Sequence, residues 1–140
     1  MIRVTTASYM ADLKLVSSTL SLSEITALVG HPPDPTSHDL GDPRPRGRVW
    51  GASVWRLSSA AGDDASLEQH LSELRSRAEK RGLLDKHDPP GDLRRVLSVA
   101  AKYDTFTCTV QLPAALLLPF LGAGFDLVIS AYPTDEGSSE

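Results

Sequence analysis

Residues 20 to 30 read LSLSEITALVG, and residues 111 to 122 read QLPAALLLPFLG. Each stretch follows a segment in which apolar and polar side chains alternate, and each ends on a glycine. Alternation is typical of a half-buried strand, whereas a glycine directly after an apolar run is typical of a helix end. The repeated pattern therefore predicts strands that lead into short helices packed on the same sheet. Neither stretch contains an arrangement of residues that is typical of a catalytic site.

Composition predicts one folded domain. Of the 140 residues, 41% are hydrophobic and 23% are charged, which is close to the average of globular proteins. A chain of this length is long enough to bury one sizeable core. We therefore expect a single α+β domain over residues 1–133, followed by a disordered polar tail over residues 134–140.

The charge and the cysteine content limit the classes of partner. Lys and Arg number 14 against 18 Asp and Glu, which gives a net charge of -4, so no general attraction to nucleic acid is expected. The longest apolar run, residues 112–123, is too short to cross a bilayer, so no membrane partner is expected. Because the single cysteine, Cys108, cannot form an intramolecular disulfide, we expect a cytoplasmic location.

Capping boxes mark the starts of two helices, because a Ser hydroxyl and a Glu or Gln three residues later satisfy free N–H groups there. The two pairs are Ser21 with Glu24 and Ser66 with Gln69. The first helix is predicted to run to about Val29 and to end at Gly30, and the second is predicted to end at Gly82. A third helix is predicted to have Pro113 in its first turn, and Pro119 is expected to kink it or to end it early.

Alternation predicts five strands. They are residues 11–17, 49–58, 97–103, 106–112 and 125–131. Asp104 and Thr105 are predicted to join the third and fourth strands as a hairpin. The order of these elements predicts an α+β fold, with a mostly antiparallel sheet of about five strands and helices on one face. A ferredoxin-like fold with an inserted long helix is one arrangement that meets this description.

Three short segments carry a resemblance to a known family. They are SLSEITALVG with the following Pro-Pro-Asp at 32 to 34, Gly41-Asp42 ahead of Trp50, and a closing helix, glycine and strand that end in Ala131-Tyr132-Pro133. These segments resemble the uncharacterised bacterial family called domain of unknown function 4279. The resemblance spans nearly the whole chain and implies a fold. The family has no established activity, so the resemblance implies no reaction. Some small acidic bacterial proteins of this kind accompany toxins as immunity factors, which is an analogy only.

Residues 31–48 read HPPDPTSHDLGDPRPRGR, hold five of the ten prolines and show no apolar periodicity. They predict a long loop, and a loop of this length in a compact domain is often functional. Arginines and tryptophans interleave at its end, namely Arg44, Arg46, Arg48, Trp50, Trp55 and Arg56. Both residue types are enriched at the energetic hot spots of interfaces, so these six residues are the predicted binding surface. The alternative is a tryptophan in the core with the arginines in water.

The two tryptophans leave one question open. Trp50 and Trp55 are five residues apart, so a regular strand would point them to opposite faces of the sheet. A bulge at Gly51 would bring both to one face. The sequence alone does not choose between these arrangements.

The same loop also contains residue types that bind divalent metals. They are His31, His38 and Asp39, accompanied by Asp34 and Asp42, and imidazole and carboxylate groups are suitable ligands. However, aspartates beside proline and glycine are ordinary turn formers, and the seven-residue spacing of the histidines matches no recognised zinc pattern. We therefore expect no metal, no cofactor and no catalytic residue.

The other reactive side chains are expected to have no chemical role. Cys108 falls in the apolar phase of a predicted strand, where a thiol behaves as an inert small hydrophobe. His70 lies on the second helix and His87 lies in a loop rich in helix breakers, and both are expected to be solvated.

The sequence therefore predicts a non-catalytic protein-interaction module, namely a bacterial immunity or accessory protein that binds another protein and is itself a monomer or a weak homodimer. Two other classes stay open. One is a small metal-dependent hydrolase that uses His31, His38 and Asp39. The other is a small-ligand-binding domain that uses the sheet face without helices.

Overall fold

The computed structural model describes residues 7–85, 91–103 and 109–133, which contain six strands and three α-helices. The strands are β1 (Ala7–Ser17), β2 (Pro43–Arg44), β3 (Arg48–Val49), β4 (Ser53–Ser58), β5 (Arg94–Tyr103) and β6 (Asp126–Pro133). The helices are α1 (Leu22–Val29), α2 (Leu67–Lys80) and α3 (Ala114–Gly122), with a 3-10 turn at Pro45–Gly47. None of the helices in these ranges is long and apolar enough to cross a membrane.

Four strands form one mixed sheet in the order β4-β1-β5-β6. β1 pairs antiparallel with both β4 and β5, whereas β6 pairs parallel with β5. The predicted α+β class is confirmed, and the expectation of a mostly antiparallel sheet of about five strands is roughly right. Residues 109–112 of the predicted fourth strand form no strand. The rest of that strand, including Cys108, and the predicted turn at 104–105 lie outside the described residues, as do residues 134–140.

The connection through α1 differs from that of a ferredoxin-like fold. In such a fold a helix joins two parallel strands, but α1 joins β1 to the antiparallel β4. The difference arises from residues 34–40, which run along the outer edge of β4 in the opposite direction to it. Because β4 is antiparallel to β1, this segment runs parallel to β1. The chain then turns back into β4, so it passes along the sheet once more than the sequence pattern predicts.

Both predicted capping boxes form. The Ser21 hydroxyl accepts the N–H of Glu24 at 3.1 Å, and the Glu24 carboxylate accepts the N–H of Ser21 at 3.0 Å. Ser66 and Gln69 make the same pair of bonds at 3.1 and 2.8 Å. Gly30 ends α1 with a φ of 80°, a left-handed conformation that glycine adopts without strain. The predicted bounds of α1 and α2 are therefore confirmed to within two residues.

Pro119 lies inside α3, which continues to Gly122, so of the two predicted outcomes, a kink or an early end, the early end does not occur. A proline in a helix interior costs about 3 kcal/mol. Leu117 and Phe120 of the same helix are buried, and burying each side chain stabilises the fold by roughly 1.5–3 kcal/mol. Their packing therefore offsets the proline. Pro113 is the N-cap residue of α3 and does not lie in its first turn.

The core lies on one face of the sheet and includes buried side chains of all three helices. The strands contribute alternate residues, namely Leu13 and Leu15 of β1, Trp55 and Leu57 of β4, and Leu97 and Val99 of β5. The helices contribute Ile25 of α1, Leu71 and Leu74 of α2, and Phe120 of α3. The opposite face carries the even-numbered strand residues, and no helix of the described ranges covers it.

His70 is buried, with 4% of its surface exposed, so the prediction that it is solvated was wrong. It lies three residues after Leu67 and four before Leu74, and these positions share one face of a helix. Its Nδ1 atom is 3.0 Å from the hydroxyl oxygen of Ser59, whereas its Nε2 atom has no hydrogen-bond partner among the described residues. His87 lies outside those residues.

A carboxylate holds the end of β1 to the start of β5. Asp92 accepts hydrogen bonds from the Ser17, Ser18 and Thr19 hydroxyl groups and, at 2.8 Å, from the N–H of Ser18. These bonds, first among them that of Ser17, hold the pKa of Asp92 far below its usual range. The turn that leads from β1 into α1 is therefore fixed by a residue 73 positions or more away in sequence.

We expect an Asp92→Ala variant to unfold at a Tm lower by on the order of a few degrees, because four donors lose their acceptor. Since the pKa of Asp92 is lowered on folding, its contribution is present above its ordinary pKa of 3.8 and is lost as the pH falls below that value. The wild-type chain should thus lose stability in acid faster than the variant does. Thermal unfolding of both proteins between pH 7 and pH 3, with Asp63→Ala as an exposed control, measures this difference. Parallel pH profiles of wild type and Asp92→Ala would contradict it.

Candidate functional site

Residues 34–40, which we call the edge segment, are hydrogen-bonded to β4. The N–H of Asp34 donates to the Arg56 carbonyl at 2.9 Å, and the N–H of Arg56 donates to the Ser37 hydroxyl at 2.9 Å. His38 and Val54 exchange two backbone bonds, of 3.0 and 2.8 Å. Pro35 of this segment lacks a backbone donor, as do Pro32 and Pro33 just before it, so the segment satisfies the edge of β4 without forming a regular strand. The predicted long loop is therefore an ordered part of the sheet edge.

Asp39 fastens the edge segment to the start of α1. Its Oδ1 atom accepts the N–H of Leu22 at 2.9 Å and lies 3.2 Å from the hydroxyl of Ser53. The same hydroxyl accepts the N–H of Leu40 at 2.9 Å. The bond from Leu22 is the main cause that lowers the pKa of Asp39, so this carboxylate is charged at neutral pH. Asp39 therefore joins three parts of the chain: the edge segment, α1 and β4.

Residues 43–49, which we call the arginine hairpin, extend from this fastened base. Two bonds form the base, from the N–H of Gly41 to the Trp50 carbonyl at 2.8 Å and from the N–H of Trp50 to the Asp42 carbonyl at 2.9 Å. β2 and β3 then pair, with Arg44 opposite Arg48. At the tip Arg46 has a φ of 66° and is the one non-glycine residue of the described ranges with a positive φ. The strained tip presents this arginine to solvent.

Trp50 is held between the hairpin and the edge segment. Its ring is stacked on that of His38, with centroids 4.0 Å apart and an angle of 17° between the planes. The guanidinium carbon of Arg44 lies 4.2 Å from the centroid of the Trp50 ring. We call these three side chains the tryptophan stack. A cation over an indole face is attracted by roughly 0.5–1 kcal/mol at an exposed site, so Arg44 and Trp50 orient each other.

The predicted binding surface is only partly brought together. Arg44, Arg46, Arg48 and Trp50 share the arginine hairpin and its base. Trp55 is fully buried in the core, and its indole N–H donates to the His31 carbonyl at 3.3 Å. Its assignment to the binding surface was therefore wrong. Arg56 lies on the sheet face without helices, half-buried, and its Nε atom has no partner among the described residues.

The start of β4 answers the question about the two tryptophans. β4 begins at Ser53, and not at Val49 as predicted, so Trp50 precedes the strand and Trp55 lies within it. Trp50 is instead bonded to Asp42 at the base of the hairpin. Neither a regular strand through both tryptophans nor a bulge at Gly51 is needed.

The residues of the metal hypothesis have other partners. His38 is stacked on Trp50, and the Oδ1 atom of Asp39 accepts bonds from Leu22 and Ser53. In the ranges that the structure describes, no three His, Cys, Asp or Glu side chains are grouped so that they could hold a metal ion. From the sequence, His38 was considered only as a metal ligand, and its stacking on Trp50 was not predicted. Its stacking partner is twelve residues away, a separation that no helix or strand period reveals.

The ligand-binding alternative would use the sheet face without helices. Two open depressions, of about 250 and 610 Å³, lie instead on the helix side of the fold, beside α2 and the start of α3. They share Ser72 and Leu116 and are lined mostly by polar side chains. Ligand pockets are typically concave and mainly apolar, so neither depression has that character.

Comparisons with protein-family models, with curated proteins and with solved structures find no match for this chain. The resemblance to domain of unknown function 4279 therefore stays a prediction.

The different environments of the two tryptophans predict different fluorescence quenching. In a Trp50→Phe variant the remaining Trp55 should be shielded from acrylamide, because it is fully buried. In a Trp55→Phe variant the remaining Trp50 should be quenched several-fold more strongly, because it is only half-buried. Circular dichroism of both variants checks that they are folded. Equal quenching constants in two folded variants would contradict the difference in exposure between the two tryptophans.

Removing the Asp39 carboxylate should loosen the base of the hairpin. We expect Asp39→Ala to lower the free energy of unfolding by about 1 kcal/mol or more, because Leu22 and Ser53 lose an acceptor. The exposed Asp64→Ala control should change it by less than about 0.5 kcal/mol. Urea unfolding of the two variants and the wild type measures both effects. Variants of equal stability would show that Asp39 does not fasten the edge segment.

Proposed function

We propose that this chain is a non-catalytic protein-interaction module that binds an acidic surface of another protein through the arginine hairpin and the tryptophan stack. The observation that carries the proposal is Arg44 held 4.2 Å from the Trp50 ring on a hairpin whose base is bonded to the sheet edge. Arginine and tryptophan are the residue types most enriched where interfaces have most of their binding energy.

The charge of the hairpin supports an acidic partner. Residues 43–49 contain three arginines and no acidic residue, whereas the whole chain has a net charge of -4. Arg46 and Arg48 are exposed, and their guanidinium groups make no hydrogen bond or ion pair with the described part of the chain. A guanidinium group binds a carboxylate through two parallel hydrogen bonds. The hairpin therefore offers free, directional donors to carboxylates.

The bonding of the loop also favours tight binding. Ordering a flexible loop on association reduces affinity, and a loop that is ordered beforehand avoids that loss. The edge segment is bonded to β4 through Asp34, Ser37 and His38, and to α1 through Asp39. The arginines of the hairpin therefore start from a base that is already fixed.

A protein partner is favoured over nucleic acid. Asp39 and Asp42 lie next to the hairpin, and the chain as a whole is acidic, so a phosphate backbone would be repelled at most approaches. The further assignment to immunity or accessory proteins rests on the resemblance described above and is an analogy. A cytoplasmic setting belongs to the same proposal, because a chain with one cysteine does not depend on an oxidising compartment.

Affinity capture from the cells that make this protein, followed by mass spectrometry, tests the proposal. The wild-type chain should recover a stoichiometric protein with an acidic surface. An Arg46→Ala/Arg48→Ala variant should bind that protein at least about tenfold more weakly. Raising the salt concentration should weaken the wild-type complex, since partly exposed charge pairs are screened.

The matched control is Lys80→Ala/Arg94→Ala, which removes two exposed positive charges on α2 and β5. It changes the net charge by the same amount and should leave the affinity unchanged. If the hairpin variant and the control bind equally well, the assigned surface is wrong. If only nucleic acid is recovered, and nuclease treatment removes it, the protein-binding function is wrong.

A further inference from the structure

The two edges of the main sheet differ in how they are covered. The backbone of β4 is bonded to the edge segment through Asp34, Ser37 and His38. β6 pairs with β5 on one side, and no described residue pairs with it on the other. Three of its apolar side chains are about half exposed, namely Val128 at 46%, Ile129 at 49% and Tyr132 at 52%. A long, apolar, unpaired edge is a template for pairing with another strand.

We propose that β6 pairs antiparallel with β6 of a second copy of this chain, so that two sheets join across a twofold axis into one. This interface lies on the opposite side of the sheet from the arginine hairpin and does not depend on the function proposed for that hairpin. It would leave the hairpins of both copies free at the two outer ends of the joined sheet.

The closed edge of β4 selects the symmetric arrangement. If β6 paired with β4 of another copy, each added chain would leave a new free edge, and the assembly would grow as an open filament. The edge segment occupies that side of β4. The edge that a second copy has free is therefore β6 itself, and pairing of β6 with β6 closes after two chains.

The sequence of β6 suits antiparallel pairing with itself. We centre the register on Ile129, which places Ile129 opposite Ile129 of the second copy and Leu127 opposite Ala131 of the second copy. These residues alternate on the same face of the strand, so the facing pairs are apolar. On the other face Val128 lies opposite Ser130. Pro133 is the last residue of β6 and stays outside this ladder, which suits a residue that cannot donate a backbone bond.

In this register an acidic residue at the start of β6 lies on the same row as a basic residue of the second copy. Asp126 begins the strand, and Tyr132, near its end, is paired with Lys102 of β5. The antiparallel register puts Asp126 in the same row as Tyr132 and Lys102 of the second copy. Within that row Asp126 and Lys102 are two strand spacings apart, roughly 10 Å, which is slightly more than the Debye length of about 8 Å at physiological salt, so their attraction is largest at low salt. The two Asp126 residues lie at opposite ends of the ladder and do not repel each other.

Sedimentation velocity of the full chain over a range of concentrations tests the proposal. The wild type should convert from monomer to dimer as its concentration rises to about 100 μM. Ile129→Lys should raise the dimer dissociation constant at least about tenfold, because it puts two like charges directly opposite each other. Leu118→Lys, which makes the same change at a residue of α3 that is 63% exposed, should leave the dissociation constant unchanged.

A cross-link gives a second readout that adds no charge. In a Cys108→Ser background, Ile129→Cys should form a disulfide-linked dimer on mild oxidation, because directly opposite residues have Cβ atoms about 5 Å apart. Leu118→Cys in the same background should not. A wild type that is monomeric at every concentration overturns the proposal. So does a dimer that Ile129→Lys leaves intact, or an Ile129→Cys variant that cross-links no better than Leu118→Cys.

Discussion

The arrangement of this protein depends on the closure of one sheet edge by an irregular segment. His38 and Val54 exchange two backbone hydrogen bonds, and Asp34 and Ser37 bond to Arg56 further along β4. A strand edge that stays unpaired invites association, and here residues 34–40 satisfy it without becoming a regular strand. Because this segment passes along β4 before the chain turns back into it, the same contacts also determine that β4 runs antiparallel to β1.

That closure makes the two edges of the sheet different. The chain must reverse direction between the edge segment and β4, and the reversal is the arginine hairpin, with Trp50 stacked on His38 at its base. The other edge of the sheet has no such cover among the described residues, so β6 remains available for pairing. One side of the fold thus carries a basic, directional surface, and the opposite side carries an apolar strand. The proposed partner and the proposed second copy would occupy different edges.

Local signals in the sequence predicted much of the fold, and contacts distant in sequence determined the rest. The capping boxes at Ser21 and Ser66 predicted α1 and α2 because all their atoms lie within one turn. The burial of His70 was also predictable, since it shares the helix face of Leu67 and Leu74, but a polar residue was assumed to face water. The different environments of Trp50 and Trp55 were not predictable, because Trp50 is bonded to Asp42 across the hairpin, a contact that no helix or strand period reveals. Pro119 does not end α3 early, because the burial of Phe120, which depends on contacts distant in sequence, offsets its cost.

Backbone amide hydrogen exchange tests the closed edge most directly. The amide of His38 donates to Val54, and the amide of Val54 donates to His38, so both should exchange far more slowly than the amide of Arg46 at the exposed hairpin tip. Protection of both residues, measured by NMR in the full chain, is the result that this account predicts. If the amide of His38 exchanges as fast as that of Arg46, residues 34–40 do not close the sheet, and the fixed base of the arginine hairpin is lost with them.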